Sequence, residues 1–198
     1  MKETGVIKFN CNWIKEKALN NNLLVDLNFW RNRMFALGLI GVYADGIGYG
    51  NISIRLQGNQ FIITGSATGK FKKLTSEHYT KVVDYDVEKN SLTAVGPIIA
   101  SSESLTHAVL YEYDKNINAV IHIHNLALWQ KLMNKIPTTN KNVEYGTPAM
   151  AKEIIRLFDS TNLKNQKMLV MAGHEEGIIS FGKDLNEAGN LLLEALKS

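Results

Sequence analysis

Two histidines stand two residues apart in an apolar run, Asn118-Ala-Val-Ile-His122-Ile-His124. The flanking Val, Ile and Ala read as a buried strand, and a strand sends residues i and i+2 to one face. His122 and His124 should therefore project side by side from a rigid element, able to converge on one divalent ion, with zinc the first candidate. Taken alone, the pair is as simply explained by two half-buried histidines satisfied by hydrogen bonds. Its company matters more. About twenty residues upstream, Ala100-Ser101-Ser102-Glu103 lies where a loop meets a helix. Either the serines cap the helix and Glu103 complements its dipole, or amides and hydroxyls at this helix start bind a phosphate with Glu103 beside it as a general base. Downstream, Ala172-Gly-His174-Glu-Glu176-Gly177 places a third histidine between two strands. His174 could complete a three-ligand site that leaves a coordination position open for substrate.

Two loops rich in glycine and hydroxyls, Gly48-Tyr-Gly-Asn51-Ile-Ser53 and Thr64-Gly-Ser66-Ala67-Thr68-Gly69, could cradle a phosphate. They equally read as turns. Neither has the spacing of a Walker A or dinucleotide-binding loop. His107 follows Glu103 by four residues on the same helix face, so it either holds Glu103 or lines the core, and His78 has no distinguishing context.

The elements that must position these groups follow from pattern. Val25 to Tyr43 has apolar residues at helical spacing (Leu27, Trp30, Met34, Leu37, Ile40) and is expected to be an amphipathic helix ended by the glycines at 46, 48 and 50. Strands are expected at Asn51–Arg55 and Gln60–Thr64 around a Gln57-Gly58-Asn59 turn, and at Thr80–Tyr85 and Ser91–Val95 around Glu88-Lys89-Asn90. A helix should run from about Ser102 to Tyr113, another near Leu126 to Met133, and a third from Thr147-Pro148 to about Phe158. Lys167–Ala172 and Gly177–Phe181 read as strands, and Leu185–Leu196 as a closing amphipathic helix. Interleaved helices and hairpin-paired strands imply an α/β layered domain with a mostly antiparallel sheet.

Composition sets bounds. The 198 residues fit one domain, and 45% hydrophobic with 21% charged residues is ordinary for a soluble protein. A single cysteine, Cys11, excludes an internal disulfide. The formal charge of +3 modestly favours an anionic small molecule, and no basic run points to nucleic acid. The longest apolar stretch, Met34 to Ala44, is about half of what a membrane span needs. No secretory signal is evident, so a cytoplasmic location is expected. The stretch before Val25 offers no functional reading.

In combination and order, Gly50-Asn51-Ile-Ser53, Ile63-Thr64-Gly-Ser66, Leu74-Thr75, Ser101-Ser102-Glu103 with His107, Asn118-Ala-Val-Ile-His122-Ile-His124, Tyr145-Gly-Thr-Pro148 and Gly177-Ile-Ile-Ser-Phe-Gly182-Lys-Asp-Leu185 resemble the class II aldolase/adducin family over roughly residues 27 to 197. The resemblance implies a nine-stranded, mostly antiparallel sheet flanked by helices, a homotetramer with sites between subunits, and a zinc ion held by three histidines. It implies His122 and His124 as two ligands, Glu103 as the catalytic acid/base, and Asn51, Ser66, Ser101 and Ser102 at the phosphate. A tyrosine acid from a neighbouring subunit, usual in the family, has no assignable counterpart. Two departures stand out. Members carry the ligand histidine directly before glycine, whereas here that register holds Glu176; His174 is the expected ligand, since a neutral imidazole keeps the site's charge, with Glu176 its competitor. Ala67 replaces a glycine of the phosphate loop. The expected activity is zinc-dependent aldol cleavage of a small phosphorylated keto sugar through a metal-stabilised enediolate. Epimerase, dehydratase or decarboxylase outcomes, and a non-catalytic adducin-like module, are the alternatives.

Overall fold

The computed structural model describes residues 7–197. In chain order the elements are β1 (Asn10–Lys15), α1 (Val25–Ala36), β2 (Gly41–Val42), β3 (Gly48–Tyr49), β4 (Asn51–Arg55), β5 (Phe61–Thr64), β6 (Tyr79–Asp86), β7 (Ser91–Gly96), α2 (Ser104–Tyr113), β8 (Ala119–His124), α3 (Leu126–Leu132), α4 (Pro148–Ser160), α5 (Leu163–Gln166), β9 (Met168–Val170), β10 (Gly177–Gly182) and α6 (Leu185–Lys197). Eight strands form one mixed sheet in the order β1-β7-β6-β5-β4-β8-β10-β9, with β2 and β3 in a separate two-stranded ribbon. Every pair in the large sheet is antiparallel except β1 with β7. The sheet has eight strands where nine were expected, and beyond the β9 edge there is only an isolated parallel bridge between Thr138 and Val170 among the described residues. The neighbouring Pro137 has no N–H with which to lengthen that ladder.

Alternation along β8 decides the layers. Val120 packs with Leu105, Val109, Met150 and Ile154 of α2 and α4. Ala119, Ile121 and Ile123 pack on the opposite face with Leu27, Met34, Leu185 and Leu192 of α1 and α6. His122 and His124 share the Val120 face by the two-residue period of a strand. On that face the apolar packing gives way to a polar cleft.

Helix α1 ends at Ala36, seven residues short of the expected boundary. Gly38 takes a left-handed φ of +70°, and the Leu39 N–H reaches back to the Met34 carbonyl at 2.9 Å. This is a Schellman stop. The chain then runs as a hairpin ribbon rather than as helix. Ile40, which extended the helical spacing on paper, is buried against the sheet instead, beside Leu39. The expected hairpin turns form, with Gly58 and Asn90 at φ +61° and +50°. Thr147 caps α4 by accepting the Met150 N–H at 3.3 Å. Helix α2 begins at Ser104, two residues later than expected, and the stretch before Val25 supplies the edge strand β1.

Candidate metal and substrate site

Strand β8 is hydrogen-bonded on both sides, with Asn51 of β4 and Ile179 of β10 opposite His122, and Gly177 opposite His124. Between β9 and β10 the chain makes a tight return. His174 N–H donates to the Met171 carbonyl at 3.1 Å, and Gly177 N–H to the His174 carbonyl at 2.9 Å. This return sets the His174 ring over the end of β8. The potential ligand atoms of His122, His124 and His174 all lie within 4.8 Å of one another, and all three residues are buried. Gly177 makes the approach possible: a Cβ there would stand 2.8 Å from His174 Cδ2 and 3.3 Å from His122 Nε2.

The ring electrostatics suit a cation. Burial, reinforced by the neighbouring histidines, holds His122 well below its ordinary pKa, and burial with the Lys8 charge lowers His174 to about 4. Both are neutral near pH 7, as metal ligation requires. His122 Nε2 is buried without a hydrogen-bond partner, a costly state for an imidazole nitrogen. Its Nδ1 faces Asn51 Nδ2 at 3.4 Å while Asn51 Oδ1 is itself unpartnered. Turning the Asn51 amide by 180° pairs Oδ1 with Nδ1–H and leaves Nε2 a bare lone pair. Three convergent imidazoles with one orphaned nitrogen fit a divalent ion of the zinc class. Glu176 stands elsewhere: its carboxylate accepts the Tyr43 hydroxyl at 2.5 Å and lies 3.9 Å from His124 Nδ1.

Glu103 immediately precedes α2 and is 2% exposed. Burial raises its carboxyl to about 7, offset only in part by the Thr106 hydroxyl and the Lys8 charge. Neither carboxylate oxygen has a well-formed hydrogen bond. Ser101 and Ser102 do not cap α2 through their side chains; the Ser104 hydroxyl instead donates to the Ser101 carbonyl at 2.7 Å. Both serines line the cleft with Glu103. His107 is turned into the core, where its Nδ1 pairs with Ser53 Oγ at 2.6 Å and Ser53 Oγ with the Tyr111 hydroxyl at 2.7 Å.

The 65–69 loop closes the opposite wall, with Ala67 at φ +58°. That left-handed backbone explains why glycine suits the position. Helix α1 holds this loop through Arg31, a buried guanidinium that donates to the carbonyls of Thr68 and Lys72 at 3.1 Å and of Gly69 at 3.4 Å. A single cleft of about 290 Å³ is lined by Asn51, Ser66, Ser101, Ser102, Glu103, His122, His124 and His174 together, along with Tyr49 and Tyr145. Sequence reasoning assigned no site role to Arg31, Tyr43, Tyr145 or Lys8. The Tyr145 ring lies 4.4 Å from that of His174, and Lys8 Nζ sits 4.3 Å over Tyr145. The polar residue Arg31 inside an apolar helical stripe was the one readable signal among them.

The family profile of the class II aldolase and adducin N-terminal domain matches residues 43–197. The chain belongs to the class II aldolase and adducin family. Among curated relatives, this family member is 26% identical to the L-fuculose phosphate aldolase of Methanocaldococcus jannaschii over 154 residues, covering 70% of this chain and 75% of the relative. Its fold matches L-fuculose-1-phosphate aldolase from Thermus thermophilus at a TM-score of 0.65 and 22% identity, covering 90% and 91% of the two chains. It also matches YgbL of Escherichia coli, described as a putative aldolase/epimerase/decarboxylase, at 0.66 and 18% identity over 89% and 86%. No described helix of this family member is long and apolar enough to cross a membrane. The matched region starts at residue 43, so Lys8, β1 and the loop-holding Arg31 lie outside it.

Proposed function

We propose that this protein is a divalent-metal-dependent lyase that cleaves or forms a carbon–carbon bond in a small phosphorylated keto sugar. The observation that carries the reading is the cluster of three buried imidazoles in the same cleft as a buried, unpaired glutamate. His122, His124 and His174 would hold the ion, and the all-imidazole donor set favours zinc. When bound, such an ion supplies Lewis-acid polarisation of a carbonyl. Glu103 takes and returns the proton on the carbon beside that carbonyl; a carboxyl near 7 is poised to do both close to neutral pH. Ser66, Ser101, Ser102 and Asn51 would hold the phosphate, the serine pair being available because neither hydroxyl caps α2. The names of the curated and structural relatives support a sugar phosphate as substrate. A homotetramer belongs to the same reading, supported by Val25 and Phe29 on one side of α1, which are 63% and 57% exposed.

The test is metal analysis of purified protein combined with a product assay on a panel of pentulose and hexulose phosphates. Near one divalent ion per chain and release of an aldehyde with a three-carbon ketose phosphate are expected. Interconversion of epimers without cleavage would assign the site to the epimerase outcome. An absence of both metal and turnover would return the chain to the adducin-like, non-catalytic alternative.

A further inference from the structure

The geometry points to Tyr43 as a positioning residue that, with Glu176 behind it, fixes both the orientation and the proton of the His124 imidazole; this rests on the three-histidine site proposed above. The Tyr43 oxygen lies 2.8 Å from His124 Nδ1 and 2.5 Å from Glu176 Oε2. A carboxylate can only accept, so the phenolic hydrogen is committed to Glu176. The remaining lone pairs can then only receive the Nδ1–H of His124. The tautomer follows: Nδ1 carries the hydrogen, and Nε2 carries none. A ligating histidine backed in this way is held in orientation and made more basic.

The backbone around the relay is arranged to build it. Tyr43 stands at the mouth of the β2–β3 ribbon, where its N–H donates to the Ile47 carbonyl at 2.8 Å and its carbonyl accepts the Gly46 N–H at 2.9 Å. Tyr49 packs on the Tyr43 ring at 4.5 Å and on His124 at 5.5 Å. Glu176 occupies left-handed backbone at φ +71°, which a non-glycine residue keeps only where its surroundings fix it. Its carbonyl accepts the Asn125 N–H at 3.0 Å, tying it to the residue after His124. The glutamate in the family's ligand register thus contacts the site through a tyrosine, one bond behind the imidazole.

The full chain, stripped of metal with a chelator, would be titrated with zinc against a competing chromophoric chelator and, separately, with cobalt followed by visible absorption. Tyr43→Phe keeps the ring on Tyr49 and removes only the hydroxyl. It is expected to weaken zinc binding by about 10–100-fold, to move the cobalt absorption bands, and to leave the unfolding midpoint of the metal-free chain in place. Glu176→Gln leaves every ring in position and still accepts from Tyr43, so a smaller loss of roughly threefold is expected from the weaker, neutral acceptor. Zinc affinity within twofold of wild type in Tyr43→Phe, or, should that variant not fold, in Glu176→Gln, overturns the relay alone. A wild-type chain that binds neither metal overturns the three-histidine reading and the relay with it.

Discussion

Replacing Glu103 with glutamine should make the metal-free protein more stable while destroying its turnover, and the gain should depend on pH. The carboxyl is buried and raised to about 7 from its ordinary 4.5. At about 1.4 kcal/mol per pH unit, ionising it inside the fold costs about 3 kcal/mol more than ionising it in the unfolded chain. A raised carboxyl favours the folded state only while protonated. The penalty is absent below about pH 4.5, grows as pH rises towards 7, and is complete above that. Glutamine has nearly the same shape and never ionises, so Glu103→Gln should gain little at pH 5. The gap over wild type should widen by about 2–3 kcal/mol by pH 8. Urea unfolding of chelator-treated protein at the two pH values reads this directly, because every other titrating group is common to both chains. Activity of the metal-loaded variant should fall below detection while its metal content stays near one per chain. A stability gap that does not change with pH would mean the carboxylate is solvated or paired in solution, and the buried-base assignment would fail.

Three further perturbations test separate parts of the cleft. Ser101→Ala and Ser102→Ala should raise KM for a phosphorylated substrate while leaving stability within about 0.5 kcal/mol; a loss of about 1 kcal/mol without a KM change would show that they cap α2 after all. Gly177→Ala inserts a Cβ at 2.8 Å from His174 Cδ2, and zinc affinity, measured by chelator competition, should drop at least about tenfold with far-ultraviolet circular dichroism unchanged; retained affinity would remove His174 from the ligand set. Arg31→Met strips the donors from three loop carbonyls and should cost about 2–4 kcal/mol and raise KM more than it lowers kcat, whereas an unchanged denaturation midpoint would show that the 65–69 loop is held by other contacts.

Side-chain periodicity carried the parts of the fold that depend on one face being buried. The run Ala119–His124 revealed both its strand and which residues share a face, because burial on both sides of β8 leaves that register no freedom. Thr147-Pro148 announced α4 by capping chemistry that few other contexts use. The end of α1 was hidden because Leu37 and Ile40 prolong a helical spacing that Gly38 interrupts only through its φ. Strand β1 was hidden because its alternation lasts only Asn10-Cys-Asn-Trp13 before Ile14 breaks it, as an exposed edge strand tolerates. In the cleft, Ser101-Ser102-Glu103 admitted a capping or a binding reading, since the same side chains serve both; the absence of a side-chain cap bond at the start of α2 bears on the first reading alone. His174 and Glu176 could not be ranked from spacing, because a shift within a loop is invisible until the turn closing at Gly177 sets where each side chain goes. Arg31 and Tyr43 act across 37 and 133 positions of sequence, respectively, on Thr68 and Glu176. No local pattern encodes such distances.

Two of the three imidazoles belong to an interior strand of the sheet, flanked by β4 and β10. Its opposite face is sealed by Ile121 and Ile123 in an apolar core that owes nothing to any ion. If the three histidines hold an ion as proposed, folding and loading would be separate events in time: the chain would reach its final shape first, and the ion would enter a finished receptacle afterwards. Chelation should empty such a protein without melting it. A cell could then load the same molecule with whichever divalent ion its supply happened to offer.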